Sequence, residues 1–256
     1  MISKDAIVSL YQSIKEANED RVYEAWHASS IATCPRSHYF QRLGIKGLNE
    51  PTGAKILRWG AGHHLEKSIR PHIEKLYPGV GSNERMTSTK MDMTGEFDNY
   101  SEKLATLIEV KSVSDYAFWE EGADTGLKEE CGTYINPRTG KENKKYQIKR
   151  TPYLHHEVQQ HSYKLLLEEL GKPVKYIDYV YISLNGRIVV YKTEPDAKVE
   201  QGVKDRLSLL NEAWRTKTPP QCICTPNHKL WGAVLQWCDY RTEAGCCDLK
   251  LIKKEG

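Results

Sequence analysis

Apolar positions recur at helical spacing over residues 2–26, where Ile7, Leu10, Tyr11, Ile14 and Ala17 alternate with charged residues and predict an amphipathic helix. Ser29-Ser30 then offers an N-cap for a short helix carrying Cys34, Tyr39, Phe40 and Leu43, ended by Gly44. A third helix is predicted over 54–76, adjusted near Gly60 and Gly62 and stopped by Pro78-Gly79. The period then shortens. Residues 90–97 and 105–111 read as strands, with Tyr100-Ser101-Glu102-Lys103 as the hairpin turn between them. Residues 119–150 are polar, rich in Gly, Glu and Lys, and show little periodicity, which predicts an insertion or a mobile lid. Leu154, Val158, His161, Leu165 and Leu166 mark a strong helix over 154–170, closed by Gly171. Residues 176–184 and 187–193 form a β-hairpin over Asn185-Gly186, the favoured two-residue turn. A last helix spans about 196–216, and Pro219-Pro220 opens a cysteine-rich tail. No internal repeat is evident. Helices, a meander of strands, a helix and two more strands describe an α/β core with helical additions.

At 256 residues the chain is one large domain, or one domain with an appendage, and is long enough for a buried core. Mean hydropathy is −0.63 and no apolar run is long enough to cross a bilayer, so a soluble protein without membrane contact is expected. Met1-Ile2-Ser3-Lys4-Asp5 lacks the basic-then-apolar pattern of a signal peptide, which predicts a cytoplasmic address. A net charge of +3 says little about nucleic acid, but its distribution says more. Arg138, Lys141, Lys144, Lys145, Lys149 and Arg150 crowd one segment with only Glu142 against them; this is either a solvated loop or a strand-guiding DNA contact. Of seven cysteines, Cys222, Cys224, Cys238, Cys246 and Cys247 gather near the C-terminal end. Cytoplasmic thiols stay reduced, so a metal or cluster site is a better expectation than a disulfide framework.

The chemistry concentrates in Gly95-Glu96-Phe97-Asp98 and Glu109-Val110-Lys111. An Asp ending one strand and a Glu-x-Lys on the next can place two carboxylates and an ammonium around one point. Hard divalent cations take carboxylate oxygens, and a nearby lysine can position water and offset negative charge. Leu107, Glu109 and Lys111 share one face of their strand, Ile108 and Val110 the other, and charges on so apolar a strand require partners. The alternative is an ordinary hairpin with surface charges. Upstream, Gly60-Ala61-Gly62-His63-His64 puts a histidine on a helix, and imidazole is a good ligand for Mn²⁺. Downstream, Gln159 and Tyr163 are four apart on a helix and can jointly hold a phosphate or base.

In this order the pieces resemble the RecB-like branch of the PD-(D/E)XK nuclease superfamily, whose pattern is a helix histidine, Gly-x-x-Asp, Glu-x-Lys and Gln-x-x-x-Tyr. The resemblance covers residues from about 28 to 247. It implies a restriction-endonuclease-like core, a central mixed sheet flanked by helices. It also implies a metal-dependent nuclease in which His64, Asp98, Glu109 and the Val110 carbonyl ligate Mg²⁺ or Mn²⁺. Lys111 would orient the attacking water, Gln159 and Tyr163 would grip DNA, and Lys145, Lys149 and Arg150 would add DNA contacts. The implied layout is an N-terminal helical region over 1–53 carrying Cys34, a nuclease core over 54–216 with an insertion at about 119–150, and a cluster-binding tail over 217–256.

The cysteines extend the resemblance. A subset of RecB-like nucleases, including CRISPR-adaptation, AddB-type and many phage exonucleases, holds a 4Fe–4S cluster with one cysteine before the core and three after it. Cys34 matches the first ligand; Cys238, Arg241 and Cys247 stand at the three later places, so the middle ligand is missing. The implied set is Cys34, Cys224, Cys238 and Cys247, with Cys222 and Cys246 as alternates. Zn²⁺ held by Cys224, His228, Cys238 and Cys246 or Cys247 is the other possibility. The activity implied is exonucleolytic hydrolysis of single-stranded or end-resected DNA, in phage or CRISPR-associated processing or recombination, within a bacterial, archaeal or phage-infected cell. The alternative is a non-cleaving DNA-end-binding adaptor working with a helicase or integrase.

Overall fold

The computed structural model describes residues 24–45, 47, 53–82, 84–113, 124–150, 152–183, 186, 188–224, 238 and 240. The expected first helix lies outside them except at its end, where Trp26 belongs to a strand. In chain order come β1 (Trp26–His27), a 3₁₀ turn (Ala28–Ser30), α1 (Pro35–Arg42) and α2 (Gly53–Leu76). Five strands follow: β2 (Val80–Ser82), β3 (Arg85–Ser88), β4 (Met93–Glu96), β5 (Asn99–Ser101) and β6 (Thr106–Val113). Then come a ribbon of β7 (Asp124–Ile135) and β8 (Glu142–Arg150), α3 (Leu154–Glu169), β9 (Tyr176–Ser183), β10 (Ile188–Thr193) and α4 (Ala197–Thr216).

The fold is mixed α/β around a five-stranded sheet ordered β10-β9-β6-β5-β2. Within it β6 and β9 run parallel, joined by a crossover through α3, while the other pairs are antiparallel. A second sheet has the order β1-β4-β3. Alternation along β6 explains how both faces are buried. Leu107 joins Tyr163, Leu166, Tyr179 and Tyr181 under α3, whereas Ile108 and Val110 join Val180 and Ile182 against Ile73 of α2 and Tyr77 just beyond its end. Each such side chain taken out of water contributes roughly 1.5–3 kcal/mol. Among the described residues no helix is long and apolar enough to cross a membrane.

Three expectations change. The strands carrying Asp98 and Glu109 are not hairpin partners: β6 pairs with β5, while β4 pairs with β3 and β1. The chain reverses at 102–105, with Ala105 at φ +49°, so the strand able to return along β6 is the three-residue segment just before that turn. Phe97, almost fully buried, anchors the step from one sheet to the other. Second, Ser29 and Ser30 lie within the 3₁₀ turn, and Cys34 is the N-cap of α1 because Pro35 supplies the fixed φ of a first helical residue. Third, the polar stretch 124–150 is an antiparallel ribbon; residues 114–123 lie outside the description. The last helix begins as expected, with the Asp196 carboxylate accepting from the Lys198 amide at 2.7 Å.

Candidate functional site

Where β5 ends its pairing with β6 at Ile108, the edge of β6 is left open, and Asp98 stands at that opening. Its Oδ2 accepts from the Val110 amide at 3.2 Å and lies 3.8 Å from Lys111 Nζ. Lys111 also forms an ion pair with Glu109, whose side chain is only 1% exposed. Burial, reinforced by the Asp98 carboxylate and opposed by Lys111, pushes Glu109 up to about 8. Burial alone would lower Lys111, but Glu109 and Asp98 more than reverse that and hold it above the usual lysine range. Two carboxylates against one ammonium resist ionising together, and a hard cation among them would relieve that repulsion.

A cleft of about 240 Å³ opens beside this group, walled by Glu66, Ile69 and Arg70 of α2, by Glu96 and Asp98, and by His27 and Val110. Glu66 is the acid that α2 brings to it, and its charge also acts on Glu109 and Lys111. The helical period puts Glu66, Ile69, Arg70 and Ile73 on one face, and a residue two positions away points about 200° around the helix. His64 is accordingly exposed and does not line the cleft; its carbonyl accepts from Ser68 Oγ at 2.8 Å. Gly62 permits the approach of α2 to β6, since a Cβ there would lie 3.1 Å from Ser112 Oγ.

Helix α3 closes the carboxylate group from the Glu109 side. Gln160, fully buried, donates its Nε2 to Glu109 Oε2, while its Oε1 has no partner among the described residues. Gln159 Nε2 lies 3.4 Å from Tyr163 OH, so the expected pair does meet. The Tyr163 ring is buried, and burial followed by the charge of Glu109 raises its hydroxyl well above the tyrosine range. Its ring explains the glycine of Gly-x-x-Asp: a Cβ on Gly95 would lie 2.6 Å from Tyr163 Cε1 and 2.8 Å from Ala28 Cβ. Sequence reasoning missed Glu66, Gln160 and His156, whose Nδ1 meets Tyr181 OH at 2.9 Å. The signal was present as polar residues at 156 and 160, in step with Tyr163 and Leu167 on the buried face of α3.

The thiols converge elsewhere. The sulfur atoms of Cys34, Cys222 and Cys224 all lie within 4.8 Å of one another, with Cys34 and Cys222 4.0 Å apart. Cys34, Cys224 and Cys238 are thiols outside any disulfide, and Cys222 stands in a disulfide. Cys34 is lowered to about 6, first by the Cys224 S–H and against its burial, then by amide hydrogen bonds from Ile223, Ser37 and Arg36 around the start of α1. Cys224 is raised by its contacts with Cys238 and Cys34. This grouping could hold a metal ion. Cys246, Cys247, Arg241 and His228 lie outside the described residues, as do the side chains of Lys145, Lys149 and Arg150, whose backbones belong to β8.

No protein family matches the chain, and no curated protein does. Among solved structures, it is similar to the alkaline exonuclease LHK-Exo of Laribacter hongkongensis, at 16% identity over 80% of this chain and 97% of that one, TM-score 0.47. LHK-Exo in complex with dAMP gives 15% identity over 79% and 93%, TM-score 0.49. A phage-related exonuclease from Haemophilus somnus gives 14% over 74% and 81%, TM-score 0.45. At such overlap the chemistry of this chain has to be read from its own side chains.

Proposed function

We propose that the chain is a metal-dependent deoxyribonuclease, acting as an exonuclease on DNA with a free end. The observation that carries this reading is the Glu109–Lys111 ion pair beside Asp98 at the edge of β6, with Asp98 also lining a cleft that holds a further carboxylate, Glu66. Asp98, Glu109 and the Val110 carbonyl are the proposed ligands of Mg²⁺ or Mn²⁺. From α2 the donor standing in the cleft is Glu66, whereas His64, the expected imidazole, is exposed. The fit rests on the donors: oxygen ligands only, carboxylates that resist ionising together, and the unpartnered Oε1 of Gln160 beside Glu109. When bound, the cation supplies Lewis-acid stabilisation of the phosphoryl oxygens. Gln160 fixes the Glu109 carboxylate, Lys111 orients the attacking water and offsets charge, and Arg70 on the opposite wall offers a guanidinium to the phosphate. Gln159, with Tyr163 beneath it, and Lys145, Lys149 and Arg150 of β8 are the proposed DNA contacts.

The thiols fit a resident metal, and we assign them a bracing role that ties the tail to the start of α1. A 4Fe–4S cluster is the reading the cysteine order supports. The 4.0 Å between Cys34 and Cys222 favours a second reading. Thiolates around one tetrahedral Zn²⁺, with bonds of about 2.3 Å, stand about 3.8 Å apart. Either group needs Cys222 reduced to act with Cys34, Cys224 and Cys238. Metal analysis of anaerobically purified protein decides: iron with sulfide and broad visible absorption, or stoichiometric zinc without it.

The reaction is tested by digesting single- and double-stranded DNA, labelled at either end, with Mg²⁺ or Mn²⁺. Metal-dependent release of nucleotides, lost in Glu109→Gln, is expected. Binding to DNA ends with no hydrolysis under any metal would overturn the nuclease in favour of an adaptor.

A further inference from the structure

We propose that the ribbon of β7 and β8 is a nucleic-acid arm that lies in the major groove of double-stranded DNA, so that the proposed nuclease takes a substrate with a duplex segment beyond the end being cut. This rests on the nuclease reading for the cutting alone; the grip on duplex is a separate property of the ribbon.

The ribbon lacks the support that strands normally have. Among the described residues β7 and β8 pair only with each other. A two-stranded hairpin is marginally stable in water by itself, so a ribbon this long is a structure in want of a partner. Its tip is nevertheless well built. The Asn136 carbonyl accepts from the amides of Thr139 (3.3 Å) and Gly140 (2.8 Å), its side-chain oxygen accepts from the Arg138 amide at 2.9 Å, and its own amide donates to Lys141 O at 2.9 Å. Gly140, at φ +64°, supplies the left-handed residue that closes the turn.

The chemistry of the tip identifies the partner. Tyr134 (48% exposed) and Ile135 (67%) lie bare near the turn, and Arg138, Lys141 and Lys144 are exposed around them. Glu142, the one acid of the tip, is engaged by Thr133 Oγ1 at 2.6 Å. Toward the base β8 adds Lys145, Lys149 and Arg150 in sequence. Three exposed cations against one acid at the tip complement a phosphate backbone. The shape agrees, because the major groove, about 12 Å wide, admits a two-stranded ribbon. The 12 residues of β7, at about 3.4 Å each, reach about 40 Å. That is slightly more than the roughly 34 Å of one DNA turn.

Placement ties the arm to the site. β8 ends at Arg150, three residues short of α3, which starts at Leu154 and carries Gln159 and Gln160. The foot on the β8 side therefore adjoins an element that builds the carboxylate group. A duplex held along the ribbon would present its end there.

The test is fluorescence anisotropy of the full chain with a labelled blunt duplex two helical turns long and with the corresponding single strand, without added divalent cation so that nothing is cut. Arg138→Glu/Lys141→Glu/Lys144→Glu should weaken duplex binding about tenfold or more. It should also flatten the dependence of log Kd on log salt by about 2.7, three phosphates at about 0.9 each. Single-strand binding should change much less. A second variant, replacing 133–144 with a short Asn-Gly turn, should reproduce the loss without a change in Tm. Wild-type duplex affinity and salt slope in both variants would overturn the proposal, as would equal loss on duplex and single strand. Because the readout is binding, a chain that never cuts DNA can still pass this test, and one that cuts can still fail it.

Discussion

Two chemically loaded regions lean on the same helix and differ in almost every other respect. The carboxylate centre takes Asp98 from the link between β4 and β5, and Glu109 and Lys111 from β6, and sets hard oxygen donors at the edge of that strand. The thiol group gathers Cys34 from the start of α1 and Cys222, Cys224 and Cys238 from beyond α4, and sets soft donors around a point packed against Val158 of α3. Gln160, two positions beyond Val158, holds Glu109. The first arrangement is made by local chain geometry and crowds its carboxylates. The second is made by closing almost the whole chain on itself. On the proposed reading this is a division: short-range donors prepare for chemistry, long-range donors brace the frame.

The largest effect should come from Glu109→Gln. The amide keeps the volume but removes the charge that pairs with Lys111, and hydrolysis should fall about 10³-fold or more, as expected for loss of an electrostatic anchor in a dry site. Thiol-bound metal should be unchanged in the same protein. Parallel measurement of rate and metal content checks the division; loss of both together would break it. Next, Cys34→Ser should release the thiol-bound metal and cost about 3 kcal/mol, by analogy with cross-links that close long loops. In a chain of this size that is a fall in Tm of about 10 °C. The rate per folded molecule should drop less than tenfold. A loss as deep as that of Glu109→Gln would mean that α3 couples the two regions tightly.

Gly95→Ala touches the frame of the carboxylate centre alone and should rank third. Its new Cβ meets Tyr163 of α3 on one side and Ala28 of the 3₁₀ turn on the other, neither of which can give way as a flexible side-chain end would. Overpacking of this kind costs about 2 kcal/mol. Displacing β4 also moves Asp98, which follows it by two residues. Thermal unfolding and the digestion assay should both register the change, whereas Gly60→Ala, with open space around the added atom, should leave both alone.

How far these regions could be read from the sequence follows from the same contrast. The acid–lysine group was legible because its residues sit on strands whose alternation is explicit, and charges on an apolar face are conspicuous. The helices over 53–76, 154–169 and 197–216 were legible from period and punctuation. What escaped was tertiary. The pairing of β6 with β5 depends on where the chain turns, and β2 and β3 are too short to announce themselves. Which helix residue reaches the cleft is a question of rotation: Glu66 and His64 differ by two positions and so point to opposite sides. Cys222 was an alternate in the expected set because nothing in the spacing of the tail says how it folds back on Cys34. The ribbon was read as an insertion since polar residues on both faces erase the alternation that marks a strand.

The smallest effect concerns acid, and it separates the frame from the chemistry. His38 lies fully buried in α1, accepting at Nε2 from the His27 amide at 3.1 Å. Burial, then the nearby His27, Arg206 and Arg42, lowers it to about 3 from an ordinary 6.5. A group whose folded-state pKa lies below its unfolded value leaves the unfolded chain to bind the proton first. The stability from neutral His38 is therefore complete above about pH 6.5 and is lost as pH falls from there toward 3, at up to about 1.4 kcal/mol per pH unit. His155, lowered to about 4 by burial and by Lys111, adds to the same slope. His38→Gln keeps an acceptor for the His27 amide without a titrating ring. Between pH 6 and 4.5 its stability should fall less steeply than that of the wild type, by one proton's worth, in urea unfolding at each pH. Since His38 meets the cleft only through the His27 amide, an unchanged slope would mean that acid acts on this chain through the buried histidines of α3, and the carboxylate group would then be the region that gives way first.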